Sequence, residues 1–227
     1  MSTLHKYILD IFYPNRCPCC NDFIKWDKLI CSKCHKKINI VYEKVCKYCG
    51  KEICICSENL NYDGAVVPLR YEDLVKEGVL SLKRGKNKNF GEYTGKLIAQ
   101  ILCSEYSDMK FDCIVPVPMS KQSYCERGYN QAEVIAKEIA VALKTELCKN
   151  ILYKSGKSAS QHYLKRAQRL INISSIMSRD IDLTGKSVII CDDVITTGNT
   201  VNRCAHLLKK SGADTVFLVA AAQSKLR

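Results

Sequence analysis

The chain has 227 residues, 47% of them hydrophobic and 26% charged, and carries a net charge of +12. That length accommodates one medium domain plus a small one, and the composition is that of a globular chain, which excludes fibrous and disordered classes. No run approaches the roughly 20 apolar residues of a membrane-spanning helix, and Met1–Tyr13 is too short and too polar for a signal peptide, because Asp10 separates Ile8-Leu9 from Ile11-Phe12.

Leu4, Ile8, Ile11 and Phe12 would make one face of a short helix, expected to pack rather than to anchor in a membrane. The positive charge is not a tail: ten basic residues stand against six acidic ones up to Asn61, and 25 against 17 beyond it. Such a surplus suits anionic ligands, phosphates or nucleic acid, and is equally the mark of a solvated surface.

Fifteen cysteines are an odd number, and nine of them lie between Cys17 and Cys56. Together with the missing secretion signal this points to a reducing compartment, the cytoplasm, and to metal thiolates rather than disulfides. The pairs are Cys17-x2-Cys20, Cys31-x2-Cys34, Cys46-x2-Cys49 and Cys54-x-Cys56. A Cys-x2-Cys turn presents two thiolates to one zinc, and two turns complete a tetrahedron, so four pairs predict two structural zincs. The last pair has the weakest spacing. Cys19 is a spare thiol beside Cys20, and His35 is a possible substitute ligand. Pairing is either sequential or interleaved, with sequential favoured. All-thiolate ligation leaves no open position for catalysis. A segment this short buries little apolar surface, so metal binding supplies much of its folding free energy. Trp26, Leu29 and Ile30 are its expected small core.

The cysteines stop near Ser57–Tyr62, which sets the expected division at 1–60 and 62–227. Ala65–Tyr71 reads as an edge strand, since Pro68 lacks a ladder donor. A helix over Leu74–Leu82 runs into the basic turn Lys83–Lys88, either a solvated loop or a phosphate-facing patch, with Lys83 the stronger candidate. A second amphipathic helix covers Phe90–Cys103. Asp112–Val117 is a central strand stopped by Pro116 and Pro118. Ligands of open α/β sheets sit outside the carboxyl ends of strands, so the loop from Pro118 to Asn130 faces the site. Arg127 offers phosphate a planar fork. Asn130 and Gln131 open a helix to about Leu143. The segment from Ser155 to Asn172 is polar, and its His162 is expected to be exposed. Outside the ribbon, Cys103, Cys113, Cys148, Cys191 and Cys204 read as buried small hydrophobes, with Cys125 exposed.

Val188–Cys191 is apolar without alternation, as in a strand buried on both faces. Asp192 and Asp193 follow, then Val194, Ile195 and the loop Thr196-Thr197-Gly198-Asn199-Thr200 before a helix from Val201 to about Lys210, and finally a strand over Thr215–Ala222. Free amides at a helix start favour an anion, Gly198 permits positive φ, and the threonines add donors. No Gly-x-x-x-x-Gly-Lys-Ser/Thr occurs, which excludes a P-loop. Two carboxylates suit ribose hydroxyls, which need acceptors. A ribose 5-phosphate held at both ends is the resulting expectation.

This stretch resembles the signature of type I phosphoribosyltransferases, which bind 5-phosphoribosyl-1-pyrophosphate (PRPP). The match lies on Asp192, Asp193, Thr196, Thr197, Gly198 and Thr200, with Asn199 at a variable position. Val-Pro-Val-Pro, then Arg127-Gly128-Tyr129-Asn130-Gln131, with cysteine pairs in front, is similar to the ComF-type competence proteins. A further family segment falls on Lys154, Ser158, Gln161, Leu164, Arg169 and Asn172, where Lys154 replaces an arginine and Ser158 a threonine. The resemblance implies an α/β type I phosphoribosyltransferase fold, with a Rossmann-like parallel sheet and a small N-terminal zinc-ribbon domain. It implies PRPP binding by Asp192–Thr200, pyrophosphate contacts from Val117, Pro118, Arg127 and Lys83, and magnesium arriving with PRPP. Zinc would be held by Cys17, Cys20, Cys31, Cys34, Cys46, Cys49, Cys54 and Cys56. It further implies a role in uptake of single-stranded DNA during natural transformation, with DNA and uptake-machinery proteins as partners. Tyr124, Tyr129 and Tyr163 are candidate stacking aromatics. The alternatives are a catalytic phosphoribosyltransferase of nucleotide salvage and a PRPP-sensing regulator without catalysis.

Overall fold

The computed structural model describes residues 14–56, 59–85, 87–155 and 175–224. Its N-terminal part carries little regular structure: one short helix, α1 (Ser32–Lys37), and a single 3-10 turn at Tyr42–Lys44. The rest alternates strand and helix. In chain order these are β1 (Gly64–Val66), β2 (Leu69–Arg70), α2 (Asp73–Lys83), α3 (Asn89–Glu105), β3 (Cys113–Pro116), α4 (Lys121–Arg127), α5 (Gln131–Leu143) and β4 (Glu146–Leu147). There follow β5 (Leu152–Lys154), β6 (Ile176–Ser178), β7 (Ser187–Ile195), α6 (Asn199–Lys210) and β8 (Thr215–Gln223).

The main sheet runs β1-β8-β7-β3-β4, every pairing parallel, with β2 also alongside β8; β5 and β6 form a separate antiparallel hairpin. Parallel strands need crossovers, and those crossovers cover both faces, which is why the central strands read as continuous apolar runs. Alternation within β7 still sorts them. Val188 and Ile190 pack with Val201, Cys204, Ala205 and Leu208 of α6 and with Leu152 and Ile176 of the hairpin. Ile189 and Cys191 face the other way, toward Ile98 and Leu102 of α3 and Ile135 and Ile139 of α5.

The expected edge strand over Ala65–Tyr71 is two short strands, broken between Val67 and Pro68, where the backbone leaves the ladder. Its outer edge is covered rather than solvated. Ala65 N–H donates to Lys47 O at 2.7 Å and Val41 N–H to Pro68 O at 2.8 Å, so the cysteine-rich segment closes that edge. Burial agrees: Ala65, Val66, Val67 and Leu69 are fully buried. A third core joins Cys17, Cys19, Ile30, Cys34 and Ile38 to Val75, Val79 and Phe90.

Three expectations are corrected. Of the expected small core, Ile30 is buried and Leu29 half-buried but Trp26 is exposed, because the segment borrows core from α2 and α3 rather than building its own. The stretch between Pro118 and Asn130 is not all loop. Ser120 caps α4 by accepting from Ser123 N–H, and Gly128 closes it at φ 78°. Cys103 lies exposed on α3 rather than in the core. Ser158, Gln161, His162, Tyr163, Leu164, Arg169 and Asn172 lie outside the described residues, as do Lys86, Leu4, Ile8, Ile11 and Phe12. Among the described residues, no helix is long and apolar enough to cross a membrane.

Candidate functional site

The site lies where β7 and β3 end. Asp192 and Asp193 are the last polar residues of β7, both half-buried. Their carboxylates fold back on the chain: Asp192 Oδ1 accepts from Asp193 N–H and Asp193 Oδ1 from Val194 N–H, each at 2.8 Å. Burial, and then the neighbouring Asp193 charge, push Asp192 up to about 7; the Asp193 amide, then Lys83 and Lys154, pull it down, but by less. Asp193 Oδ2 receives Lys83 Nζ at 3.0 Å. Burial is the largest influence on Lys83 and opposes its charge, but Asp193, with Asp192 and Tyr71, outweighs it and the ammonium titrates above its usual range.

At the end of β7, Val194 is half-buried and Ile195 buried; beyond the strand, Thr196, Thr197 and Asn199 are exposed and Thr200 is half-buried. Gly198 takes φ 84° as the residue before α6. The helix opens at Asn199, two residues ahead of the sequence expectation, so Thr200 sits in its first turn. Among the described residues, no acceptor pairs with the backbone amides of Thr196, Thr197 or Gly198. The loop therefore presents free donors at a helix start, with two threonine hydroxyls in solvent.

Across the sheet, Val117 N–H donates to Cys191 O at 2.8 Å, which fixes the end of β3 beside β7. The motif that follows is largely self-structuring. Asn130 caps α5 through Ala132 N–H at 3.1 Å, and its Nδ2 donates to Val117 O at 2.9 Å. Tyr129 OH donates to Leu82 O at 2.6 Å, tying the turn to the end of α2. Arg127 Nη1 donates to Gln131 Oε1 at 3.3 Å. Through these bonds the end of α2, with Lys83, meets Arg127, and a methyl added at Gly85 would stand 3.3 Å from Arg127 O. Pro118 is half-buried beside them. Of the basic turn, Lys83 belongs to the site, Arg84 is exposed, and Lys88 lies 4.8 Å over the ring of Tyr129. That ring is engaged within the fold, while Tyr124 is exposed.

The thiols gather sequentially. Cys17, Cys20, Cys31 and Cys34 form one group and Cys46, Cys49, Cys54 and Cys56 another, with sulfurs within 4.8 Å of one another. Sulfur separations of 3.7 Å (Cys20–Cys31), 3.6 Å (Cys46–Cys56) and 4.0 Å (Cys49–Cys54) match the edge of about 3.8 Å that a ZnS4 tetrahedron with bonds of about 2.3 Å requires. Burial would raise Cys17, but hydrogen bonds from the amides of Cys31, Cys19 and Cys20 bring it down to about 7; the amides of Cys49 and Tyr48 do the same for Cys46. Cys19 is buried outside the set and pushed up to about 12 by desolvation and then by Cys17. His35 is not a ligand; its Nδ1 lies 3.2 Å from Tyr93 OH. The residues fit two structural zincs.

Sequence reasoning missed Lys51. It follows the Cys49-Gly50 turn, is 1% exposed, and donates to the carbonyls of Thr196 and Ser224. No periodicity or motif marks it. Gln131 and Gln223 were also missed as buried side chains; each Nε2 lacks a partner among the described residues.

Comparison with known proteins gives the family. The chain matches the phosphoribosyl transferase domain over residues 86–226 and the double zinc ribbon domain over residues 8–66. It belongs to the phosphoribosyl transferase family. The zinc ribbon in front gives it the domain pairing of the ComF-type group. It is 27% identical over 206 residues to Competence protein F of Haemophilus influenzae, covering 82% of this chain and 87% of that one. It is 24% identical to Competence protein ComFC of Bacillus subtilis over 203 residues, 83% and 81% of the two. DNA utilization protein YhgH of Escherichia coli K12 is 30% identical over 105 residues, so the matched part spans about half of each protein, 46%. Among solved structures, adenine phosphoribosyltransferase of Saccharomyces cerevisiae aligns over 63% of this chain and 81% of that one, at 16% identity and a TM-score of 0.39.

Proposed function

We propose that this chain binds PRPP at the carboxyl end of β7 and acts in the handling of incoming single-stranded DNA during natural transformation. The observation that carries the reading is the juxtaposition at one strand end: two half-buried carboxylates, a loop of unpaired amides, and the helix start of α6. Asp192 and Asp193 would accept from the ribose hydroxyls, and Val194–Thr200 would hold the 5-phosphate. Val117, Pro118, Arg127 and Lys83 border the space where pyrophosphate would lie. Magnesium, arriving with PRPP, would neutralise pyrophosphate charge. The eight cysteines paired above hold zinc as a structural element, and the division of the chain near residue 60 separates that element from the ligand-binding part. Thiol ligands and free cysteines accord with a cytoplasmic setting. The competence and DNA-utilization names of the relatives support the DNA role, as does the +12 charge.

The test pairs two titrations on the zinc-loaded chain. PRPP with magnesium is titrated calorimetrically against wild type and the Asp192→Asn, Asp193→Asn double variant; undiminished affinity in the variant refutes the site. Fluorescent single-stranded DNA is titrated at two salt concentrations, with binding expected to weaken steeply as counterions are released. No DNA binding at low salt leaves the enzyme reading alone, and release of pyrophosphate from PRPP with a candidate base decides for catalysis over sensing.

A further inference from the structure

The carboxyl end of the β7–β8 ladder carries a side chain from far away in the chain. The last rung is Ser224 N–H donating to Ile195 O at 2.8 Å. Past it, the carbonyls of Thr196 and Ser224 have no strand partner. Lys51 Nζ donates to both, at 2.6 Å to Thr196 O and 2.8 Å to Ser224 O. An amide side chain could donate to two carbonyls without burying a charge. A lysine with 1% exposure brings an amine on a long stem there instead, at a desolvation cost that the two carbonyls partly offset. That amine lies directly beneath the loop read above as the phosphate site.

The lysine is held from the second thiol group. Cys46 N–H donates to Lys51 O at 2.9 Å and Gly50 N–H to Cys46 O at 2.8 Å, so Lys51 closes the same turn that orients the sulfurs. Gly50, at φ 69°, approaches the sheet so closely that a methyl there would lie 2.6 Å from Val67 Cγ2. Tyr62 OH donates to Cys49 O at 3.4 Å. Ile55, between Cys54 and Cys56, reaches within 3.8 Å of where a Gly198 Cβ would be. The turn therefore supports the loop at both Thr196 and Gly198.

Peptide geometry turns this support into orientation. In a trans peptide the C=O and the following N–H point in opposite directions. With Thr196 O drawn toward Lys51, Thr197 N–H is directed away from the turn, and it has no partner among the described residues. We propose that Lys51 is a positioning residue for the phosphate loop: it holds the Thr196–Thr197 peptide with its amide free for an anion, places a buried positive charge under that anion, and thereby couples the second zinc knuckle to phosphate affinity. This rests on the loop being the 5-phosphate site.

The test compares zinc-loaded wild type, K51Q and K51M. Amide exchange of Thr196–Thr200 is followed by mass spectrometry without ligand, PRPP affinity by calorimetry with magnesium, and zinc release to a chromophoric chelator with and without PRPP. Exchange in K51M is expected to be roughly tenfold or more faster. PRPP affinity falls roughly tenfold in K51M and less in K51Q, which keeps donors but not charge. In wild type, PRPP slows release of one zinc and leaves the other unchanged, a selectivity that simple capping of a ladder would not produce and that K51M loses. Since the release arm is read on the native chain, it holds even where K51M fails to retain metal. Unchanged loop exchange, equal PRPP affinity in all three proteins, or zinc release indifferent to PRPP in wild type overturns the proposal. A wild type with no PRPP affinity overturns the PRPP reading instead, and loop exchange in K51Q and K51M then decides the clamp by itself.

Discussion

The titration of Asp192 gives a sharp test of the ribose assignment. Its carboxyl is pushed up to about 7 by burial and then by the charge of Asp193. A ribose hydroxyl needs an acceptor, and the ionised form accepts at both oxygens. A group with that pKa is roughly one-tenth ionised at pH 6 and nine-tenths at pH 8. PRPP affinity should therefore rise about tenfold between those values, about 1.4 kcal/mol. The second ionisation of the 5-phosphate, near pH 6, adds a slope of its own, so the control is Asp192→Asn, which keeps that slope and loses the rest. Calorimetric titration at four pH values, in buffers of different ionisation enthalpy, also counts the proton released on binding. Stability should move in the opposite sense. The folded pKa is raised above the unfolded value of about 3.9, so the native state binds the extra proton and stability falls as pH rises from about 4 through 7. Asp192→Asn should then be more stable than wild type at pH 8, with the two converging at low pH. An affinity independent of pH in wild type, or the same pH dependence in Asp192→Asn, refutes the assignment of Asp192 to the ribose.

Other substitutions probe the neighbouring parts. Lys83→Met removes the cation 3.0 Å from Asp193; since Lys83 also holds Asp192 down, the pH midpoint of PRPP binding should move upward by roughly one unit, and an unmoved midpoint removes Lys83 from the site. Gly198→Ala meets only Ile55 Cδ1 at 3.8 Å and Ile195 Cγ2 at 4.0 Å, ordinary contacts, so its cost is the φ of 84°: roughly 1–2 kcal/mol in denaturant unfolding. Elemental analysis should find two zincs per chain in wild type and in Cys19→Ser, and one in Cys20→Ser, because Cys19 stands outside the first thiol group.

Much of the fold was legible because a parallel sheet writes itself plainly. Runs such as Val188–Cys191 and Val216–Ala222 have no polar position to dispute, and the interval from Asp192 to Thr200 has few alternatives to a strand-loop-helix junction. The thiol pairs were legible for a different reason: spacing constrains a turn, and nearness in the chain favours sequential closure. What escaped were contacts between distant segments. Trp26 reads as core from composition, yet the ribbon takes its core from Val75, Val79 and Phe90, which only the tertiary arrangement brings near. Lys51 reads as one more surface lysine, and its two carbonyl partners are 145 and 173 residues further on. Arg127 was legible as a cation at the strand end, but its bond to Gln131 and the tie from Tyr129 to Leu82 were not. The α4 helix was hidden because its only signals are a Ser cap and a closing Gly, around residues without an apolar face.

The charges of the site are balanced from within. Asp193 and Lys83 form a pair with only 14% and 35% side-chain exposure, beside a second carboxylate that burial has pushed up to about 7. Two adjacent carboxylates left alone at a strand end would repel, and Lys83 together with the charge of Lys154 relieves that repulsion. On the proposed reading, ligand entry exchanges partners instead of creating charge. Ribose hydroxyls take the carboxylate acceptors, and Lys83, on the last residue of α2, becomes available to the pyrophosphate oxygens beside Arg127. The exchange needs only the end of one long side chain to move, because Tyr129 and Asn130 fix the surrounding backbone through Leu82 and Val117. This accounts for a preformed loop without a preformed cavity of unpaired charge. It also separates two of the site's cations by role: Lys51 stays buried and fixed beneath the loop, while Lys83 changes partner.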